Sequence, residues 1–235
     1  MDPGTDTPRL RRAYFECRYG QLHVHNAIPA GGGFDEQTTL LCLHSSSGTG
    51  RAFLELSRIL GRSRSVYSPD TPGCGESDAP PRQPAIDAYR DAIGDFIDSM
   101  RFRQIDLLGA HSGAAVAAEL AIARPKLVRR VIMVGAPALD AEQRRSYRDL
   151  SPPEGTPRGA AWARAAVIDW DADARLPLLK QPLLVLRPRD NFWEAGGRVA
   201  KLVPGARVVD LPHHDKHLLE KAPELVAKES SAFLS

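Results

Sequence analysis

The sequence predicts an α/β fold in which a mostly parallel central sheet is covered by helices on both faces. Two observations carry this prediction. Short apolar runs typical of buried strands alternate with segments of helical periodicity, and an early hairpin precedes the alternation. With 235 residues, of which 43% are hydrophobic and 26% are charged, the chain has the length and composition of one substantial globular domain.

The elements follow in order along the chain. The hairpin consists of two short strands, Ala13–Tyr19 and Gln21–Ala27, which are joined at Gly20. Apolar runs predict further strands at Thr38–His44, Ser65–Ser68, Ile105–Leu108, Val131–Val134, Leu183–Leu186 and Ala206–Leu211. Helices are predicted at Arg51–Leu60, at Ile86–Met100 with its apolar residues at helical spacing, and near residues 113–123, 193–203 and 222–234.

One segment, residues 138–178, does not fit the alternation. It begins with an arginine-rich stretch, continues through a proline-rich run and carries Trp162 and Trp170. Open α/β sheets bind ligands at the carboxyl ends of their strands, and connections of this length are often functional. We therefore predict a small lid at 138–178 on a core domain of residues 1–137 and 179–235, with both tryptophans as candidate substrate contacts.

Composition and charge narrow the function classes. The net charge of +2 and the absence of like-charge runs argue against nucleic-acid binding, and no apolar run has the length of a membrane span. The three widely spaced cysteines and the polar start predict a cytoplasmic protein. We expect a small-molecule substrate as the partner, with no nucleic acid and no membrane, and a homodimer is compatible with the sequence.

We expect no cofactor and no metal. No glycine-rich phosphate loop with suitable spacing occurs, and the run His213-His214-Asp215 would need a third metal ligand from elsewhere in the chain.

The most informative stretch is Leu107–Ala115, because it has the form of a nucleophile elbow. An apolar strand enters it, an alanine-rich helix leaves it, and Gly109 and Gly113 permit a tight turn between them. In a G-x-S-x-G elbow the middle residue is held in a strained conformation above the sheet, beside the start of the next helix. Here the middle residue is His111.

Five motifs in the expected order resemble the α/β-hydrolase superfamily over nearly the whole chain. They are the hairpin Gly20–Val24, the loop Leu43–Gly48 after the third strand, the loop Asp70–Asp78, the acid position at Arg187–Asp190 and the histidine region Pro212–His217. The resemblance implies acyl-transfer chemistry, with Asp190 orienting a histidine. It also implies oxyanion and substrate binding by His44, Ser45 and Ser46, assisted by the backbone N–H of Ser112.

The elbow departs from the resemblance because its tip lacks a serine. Asp106 before it and Pro125 after it both stand at the family's usual spacing when His111 is the tip residue. A shifted register would place Ser112 at the tip as the nucleophile, with alanines replacing both glycines. Both alternatives remain open at the level of sequence.

The histidine region departs as well. Counting back from Pro223 by the family's usual spacing leads to Lys216, which His214 and His217 flank. We predict that one of these histidines, with His217 favoured, takes the role of the base after a small loop shift, and His213 is a third candidate.

These departures leave three functional interpretations. The family default is hydrolysis of an ester, lactone, thioester or related carbonyl compound. The alternative is a cofactor-free lyase, decarboxylase, isomerase or cyclase, of the kind used in natural-product biosynthesis, with His111 as general base. Imidazole suits either chemistry because it exchanges protons near neutral pH. A third interpretation is a non-catalytic binding protein on a degenerate hydrolase fold.

Overall fold

The computed structural model of the protein describes residues 7–32 and 37–235. Their strands are β1 (Arg9–Cys17), β2 (Gly20–Ile28), β3 (Thr39–Leu43), β4 (Val66–Pro69), β5 (Ile105–Ala110), β6 (Val128–Val134), β7 (Leu183–Pro188) and β8 (Arg207–Leu211). These form one sheet in the order β1-β2-β4-β3-β5-β6-β7-β8. The β1–β2 and β2–β4 pairs are antiparallel and the other pairs are parallel, which confirms the predicted sheet.

The helices connect these strands. They are α1 (Leu54–Leu60), α2 (Ile86–Ser99), α3 (Ser112–Ala123), α4 (Ala141–Asp149), α5 (Arg158–Asp169), α6 (Ala172–Arg175), α7 (Trp193–Gly197), α8 (Val199–Leu202), α9 (Leu218–Lys221) and α10 (Pro223–Leu234). None of the helices in the described ranges is long and apolar enough to cross a membrane.

Two hydrophobic clusters cover the two faces of the sheet. Strand residues alternate between them, as the period of two in a pleated strand requires: Leu41 and Leu107 belong to one cluster, and Leu40 and Leu108 belong to the other. Helices α2 and α3 pack on the first face, while α1 and α10 pack on the second. The sheet is therefore buried on both sides, as a parallel sheet must be.

Several elements differ from the sequence prediction in their bounds, and two of these differences have a physical cause. Strand β1 begins at Arg9 rather than Ala13, because the start of this edge strand has three arginines and a single apolar residue, Leu10, which is too weak a signal to predict a strand. The single helix predicted at 193–203 is two short helices, α7 and α8, and the glycines at 196 and 197 account for the interruption because glycine disfavours the helix interior.

The long segment between β6 and β7 contains α4, α5 and α6. Helix α4 has a capping box, in which the Asp140 carboxylate accepts from the Gln143 backbone N–H and the Gln143 side chain accepts from the Asp140 N–H. This segment lies at the carboxyl end of β6, which places it beside the turn between β5 and α3.

Candidate active site

The turn between β5 and α3 places His111 at its tip. This residue has φ of 49° and ψ of −112°, a combination that non-glycine residues rarely adopt. Its backbone N–H donates to the carbonyl oxygen of Val134 at 2.9 Å, so the strained turn is fastened to β6. Ser112 is the first residue of α3 and is 7% exposed. The backbone thus adopts the register with His111 at the tip, and the shifted register is not the one observed.

Gly109 and Gly113 allow α3 to lie close to the sheet. A Cβ atom on Gly109 would collide with the backbone of Gly113 and Ala114, and one on Gly113 would collide with the backbone of Leu43 and His44. Both positions therefore need glycine because of close backbone approach, which explains the spacing seen in the sequence.

His111 contacts Asp190 directly. The Nε2 atom of His111 lies 2.7 Å from Oδ2 of Asp190, which stands just beyond the end of β7. The other carboxylate oxygen, Oδ1, accepts the backbone N–H of Phe192 at 2.8 Å. The Asp190 side chain is 2% exposed and that of His111 is 19% exposed, so the carboxylate is shielded while part of the imidazole remains open.

This contact fixes the tautomer of the imidazole. An ionised carboxylate only accepts hydrogen bonds, so Nε2 of His111 carries the proton and donates to Asp190. In the neutral ring, Nδ1 is then the basic nitrogen. Among the described residues, no protein group forms a hydrogen bond with Nδ1.

Gly135 leaves room for the His111–Asp190 pair, and the sequence analysis did not single it out. It follows β6 with φ of +62°, and a Cβ atom there would lie 2.5 Å from Cδ2 of His111 and 2.6 Å from Oδ2 of Asp190. A glycine after a strand is a common turn signal, so the sequence carried no indication of this role.

The pair borders a cavity of about 210 Å³. Its lining has a polar part, which includes Ser45, Ser46 and Ser112, and a second part that we call the apolar wall. The apolar wall consists of Leu139, Val167, Ile168 and Phe192. The segment between β6 and β7 supplies most of this second wall, because α4 and α5 lie beside the elbow.

Ser45 and Ser46 line the cavity, but His44 does not. Within the described part of the chain, the backbone N–H groups of Ser45, Ser46 and Ser112 donate to no other protein group. His44 is 1% exposed, contacts the carbonyl oxygen of Ser45 through Nδ1 and accepts the backbone N–H of Thr71 through Nε2. Burial lowers the pKa of His44. His44 therefore braces the loop and has no direct access to a ligand.

The cavity contains Lys216 and neither of the predicted histidines. His217 is exposed, and its backbone N–H donates to Asp215 at 2.8 Å. His214 lines a separate surface depression together with Arg189 and Lys221. The loop adopts the spacing that the count from Pro223 indicates, without the expected shift, so the side chain at the counted position is the one that reaches the site.

The two tryptophans also lie outside the cavity. Trp170 is buried, and its Nε1–H donates to Oε1 of Glu119 at 2.8 Å. Trp162 is half-buried and stacks against the guanidinium of Arg158 at 4.8 Å. The aromatic contacts of the cavity come from Tyr147 and Phe192, which the sequence analysis missed.

Tyr147 and Phe192 form the aromatic side of the site. The rings of His111 and Phe192 are 5.4 Å apart between centroids, and the Tyr147 hydroxyl donates to the Asn191 carbonyl oxygen at 2.8 Å. Burial and the nearby Asp190 carboxylate raise the pKa of Tyr147. Its phenol therefore stays protonated and fastens α4 to the loop after β7.

A family model described as alpha/beta hydrolase fold matches residues 38–193, which is more than half of the chain. The chain belongs to the α/β-hydrolase family. In sequence, this α/β hydrolase is 31% identical over 115 residues to the 2-hydroxymuconate semialdehyde hydrolase of Pseudomonas sp. (strain CF600). That alignment covers 47% of the chain and 39% of the relative, so the chain spans about two fifths of the length of this relative.

Solved α/β hydrolases share the fold over nearly the whole chain. The enol-lactonase from Burkholderia xenovorans LB400 superposes with a TM-score of 0.80 at 18% identity, covering 94% of this chain and 99% of that one. A hydrolase from Pseudomonas aeruginosa PA01 gives a TM-score of 0.80 at 21% identity, with complete coverage of both chains. At these identities the comparison shows the fold alone.

Elsewhere in this α/β hydrolase, three residues that could ligate a metal come together, His23, His25 and Asp70, whose ligand atoms lie within 4.8 Å of one another. The Asp70 carboxylate accepts from His23 Nδ1 at 2.9 Å, from the Gly50 N–H at 2.7 Å and from the Glu76 N–H at 3.1 Å. These bonds join the hairpin to the loop after β4, so we interpret the cluster as a structural bracket.

Proposed function

We propose that this α/β hydrolase hydrolyses a small ester, lactone or thioester, with His111 as general base and Asp190 as the group that orients it. The observation that carries the proposal is the 2.7 Å contact between Nε2 of His111 and Asp190 at the strained tip of the elbow. The imidazole and its carboxylate thus stand together beside a cavity with a polar and an apolar part. The hydrolase relative that matches half of the chain supports hydrolysis over other carbonyl chemistry.

The proposed reaction needs no covalent intermediate. Nδ1 of His111 removes a proton from a water molecule as the water oxygen attacks the carbonyl carbon of the substrate. The oxyanion that forms accepts from backbone N–H groups of the Ser45–Ser46 loop and of Ser112, where the start of α3 adds a partial positive charge. Collapse of this intermediate breaks the bond to the leaving group, which takes the proton back from His111.

A second candidate function is proton transfer at carbon in a cofactor-free lyase, isomerase, decarboxylase or cyclase. The specific observation in its favour is that a base, and no hydroxyl nucleophile, stands at the elbow tip. The same oxyanion donors would then hold an enolate. Exchange of the α-protons of a ketone in D₂O, followed by NMR, detects this chemistry, and its dependence on His111 assigns it to the site.

The hydrolytic function is tested with p-nitrophenyl acetate and γ-butyrolactone on four variants. We expect His111→Ala and Asp190→Asn to lower kcat/KM by roughly 10²- to 10⁴-fold, the range of a lost general base. Ser112→Ala removes a hydroxyl but keeps the backbone N–H, so its loss should be less than about tenfold, well below that range. His217→Ala is the matched histidine control and should retain wild-type kcat/KM, because its side chain lies outside the cavity.

Two outcomes would contradict the proposal. If Ser112→Ala is as damaging as His111→Ala, the hydroxyl acts as the nucleophile. If no ester or lactone is turned over in a way that depends on His111, hydrolysis is excluded for these substrates, and the exchange experiment then separates a proton-transfer enzyme from a non-catalytic binding protein.

A further inference from the structure

The cavity beside His111 is lined by two cationic side chains that have no carboxylate partner among the described residues. Among the described residues that line it, the titratable groups are those of His111, Tyr147, Arg164, Asp190 and Lys216, and the Tyr147 phenol is neutral. The carboxylate of Asp190 is already used, because one oxygen contacts His111 and the other accepts the Phe192 N–H. Arg164 and Lys216 are thus left without a negative partner in the cavity.

Arg164 is the arginine that lines the cavity among the described residues between β6 and β7, and it differs from three arginines of that segment that have a carboxylate partner. Arg144 pairs with Asp171 at 3.1 Å. Arg148 pairs with Asp169, and Arg175 pairs with Glu119, each at 2.7 Å. Arg164 is half-buried, and within the described ranges it forms no ion pair. One Nη2–H donates to the carbonyl oxygen of Tyr147 at 2.9 Å, which holds the guanidinium in place. A guanidinium has five N–H donors, so most of its donors remain for a ligand.

Lys216 supplies the second cation that lines the cavity, and it lies on the loop after β8. In the same loop Lys221 pairs with Asp215 at 2.8 Å, whereas Lys216 makes no ion pair with any residue that the structure describes. Lys216 is exposed, so it stands where a ligand enters. The half-buried guanidinium of Arg164 has no carboxylate partner, which is unfavourable in free energy. A negatively charged ligand removes that penalty.

We propose that Arg164 and Lys216 bind a carboxylate of the substrate, so that the enzyme acts on small carbonyl compounds that carry a carboxylate in addition to the reacting group. The planar guanidinium matches a carboxylate in a bidentate geometry. The volume of about 210 Å³ is below the roughly 300–1,000 Å³ of ordinary ligand pockets, which favours a small carboxylate over a bulky anion such as a nucleotide. This inference rests on the proposed function for the identity of the reacting bond, and on the two cations for the identity of the second group.

Matched pairs of methyl esters test the inference. The anionic members are the monomethyl esters of succinate, glutarate and adipate, and the neutral members are methyl butanoate, pentanoate and hexanoate, so that each pair has the same acyl chain length. We expect wild-type kcat/KM to be at least about tenfold higher for the anionic member of the best pair, as a hydrogen bond to a charged group provides. Arg164→Gln should abolish most of this ratio, and Lys216→Gln should reduce it by a smaller factor because Lys216 is exposed.

Arg158→Gln is the matched control. Arg158 lies on the same helix and stacks on Trp162 outside the cavity, so its variant should leave the anionic-to-neutral ratio as in the wild type. Thermal unfolding of each variant verifies that the fold is intact.

A direct binding measurement tests the carboxylate site independently of the proposed hydrolysis. Calorimetric titration with glutarate should show binding to the wild type that Arg164→Gln loses, and inorganic phosphate should bind more weakly. If glutarate binding depends on Arg164 but neither ester is turned over, the carboxylate site stands and the proposed hydrolysis fails. Three results would each overturn the carboxylate site. They are turnover that depends on His111 but shows no preference for the anionic esters, no glutarate binding, and tighter binding of phosphate than of glutarate.

Discussion

His111 and Asp190 form a two-residue arrangement, one residue fewer than a Ser-His-Asp triad. In a Ser-His-Asp triad the histidine stands between the nucleophile and the acid. Here the histidine itself occupies the elbow tip and reaches the acid at 2.7 Å. Under the proposed function His111 supplies the base, so the position that the family gives to its histidine, which is Lys216 here, would need none. The same proposal then accounts for both departures in the sequence.

Replacement of Gly135 tests whether the contact between His111 and Asp190 is needed for the reaction. Gly135→Ala adds a Cβ atom that would lie 2.5 Å from the His111 ring, at a residue with positive φ. We expect a loss of about 1–3 kcal/mol in the free energy of unfolding from the backbone strain. We also expect a strong loss of kcat/KM, because His111 or Asp190 must move. Urea unfolding and steady-state kinetics measure the two effects.

The control for this variant is Gly205→Ala. Gly205 also has positive φ, at +90°, but has no atom within 4 Å of its added Cβ. It should lose stability through the same backbone strain and keep full activity. Wild-type kcat/KM in Gly135→Ala would show that the His111–Asp190 contact is not needed for the reaction.

At the scale of elements, one buried carboxylate joins α3 to the segment between β6 and β7. Glu119 of α3 accepts from Trp170 Nε1 at 2.8 Å and from two guanidinium nitrogens of Arg175 at 2.7 Å each. This cluster holds the segment that supplies Arg164 and the apolar wall of the cavity. Burial acts to raise the pKa of Glu119, but the hydrogen bonds from Arg175 and Trp170 outweigh it, and the net effect is a lowered pKa.

The lowered pKa of Glu119 predicts a dependence of stability on pH. A carboxylate with a folded-state pKa below its ordinary value of 4.5 stabilises the fold above that value, and the contribution disappears as the pH falls through the folded-state pKa. Glu119→Gln should therefore lower the free energy of unfolding by about 1–3 kcal/mol at neutral pH. The difference from the wild type should shrink toward about pH 3, below the ordinary pKa. Urea unfolding at several pH values measures both.

An exposed pair serves as the comparison for Glu119. Glu55 contacts Arg58 at 3.3 Å on the surface of α1, and both side chains are largely exposed. Glu55→Gln should change the free energy of unfolding by less than about 1 kcal/mol at any pH, as surface pairs do. A difference between wild type and Glu119→Gln that stays constant across the acid range would contradict the ionic role of Glu119.

At the scale of the whole molecule, the fold was predictable because its signals are local. The apolar strands and amphipathic helices alternate in the sequence, and Gly109 and Gly113 mark the elbow. The same spacing left His111 and Ser112 as alternatives for the tip, and the backbone of the turn has His111 there. Asp190 was predicted to orient a histidine, and the contact of Asp190 with His111 at the elbow tip emerged from the three-dimensional arrangement of β5, β6 and β7.

The rest of the site could not be predicted because it depends on which face of a loop or helix meets the cavity. Trp162 and Trp170 appeared suitable as substrate contacts, yet the Trp170 indole is used to anchor its segment to Glu119. Arg164, Val167 and Ile168 recur at helical spacing on α5 and together face the cavity, a signal that the sequence did contain. At Pro212–His217 the count from Pro223 did lead to Lys216, the side chain that lines the cavity, and the prediction was wrong because it shifted the loop to bring a histidine there.

The central claim is that His111, and no serine, is the working residue of the elbow. Labelling with a fluorophosphonate, which forms a stable adduct with an activated serine, tests it most directly when followed by peptide mass spectrometry and an activity measurement. We predict no adduct at Ser112 and unchanged turnover, while a serine esterase of the same fold is labelled in parallel. A stoichiometric adduct at Ser112 with loss of activity would contradict the claim.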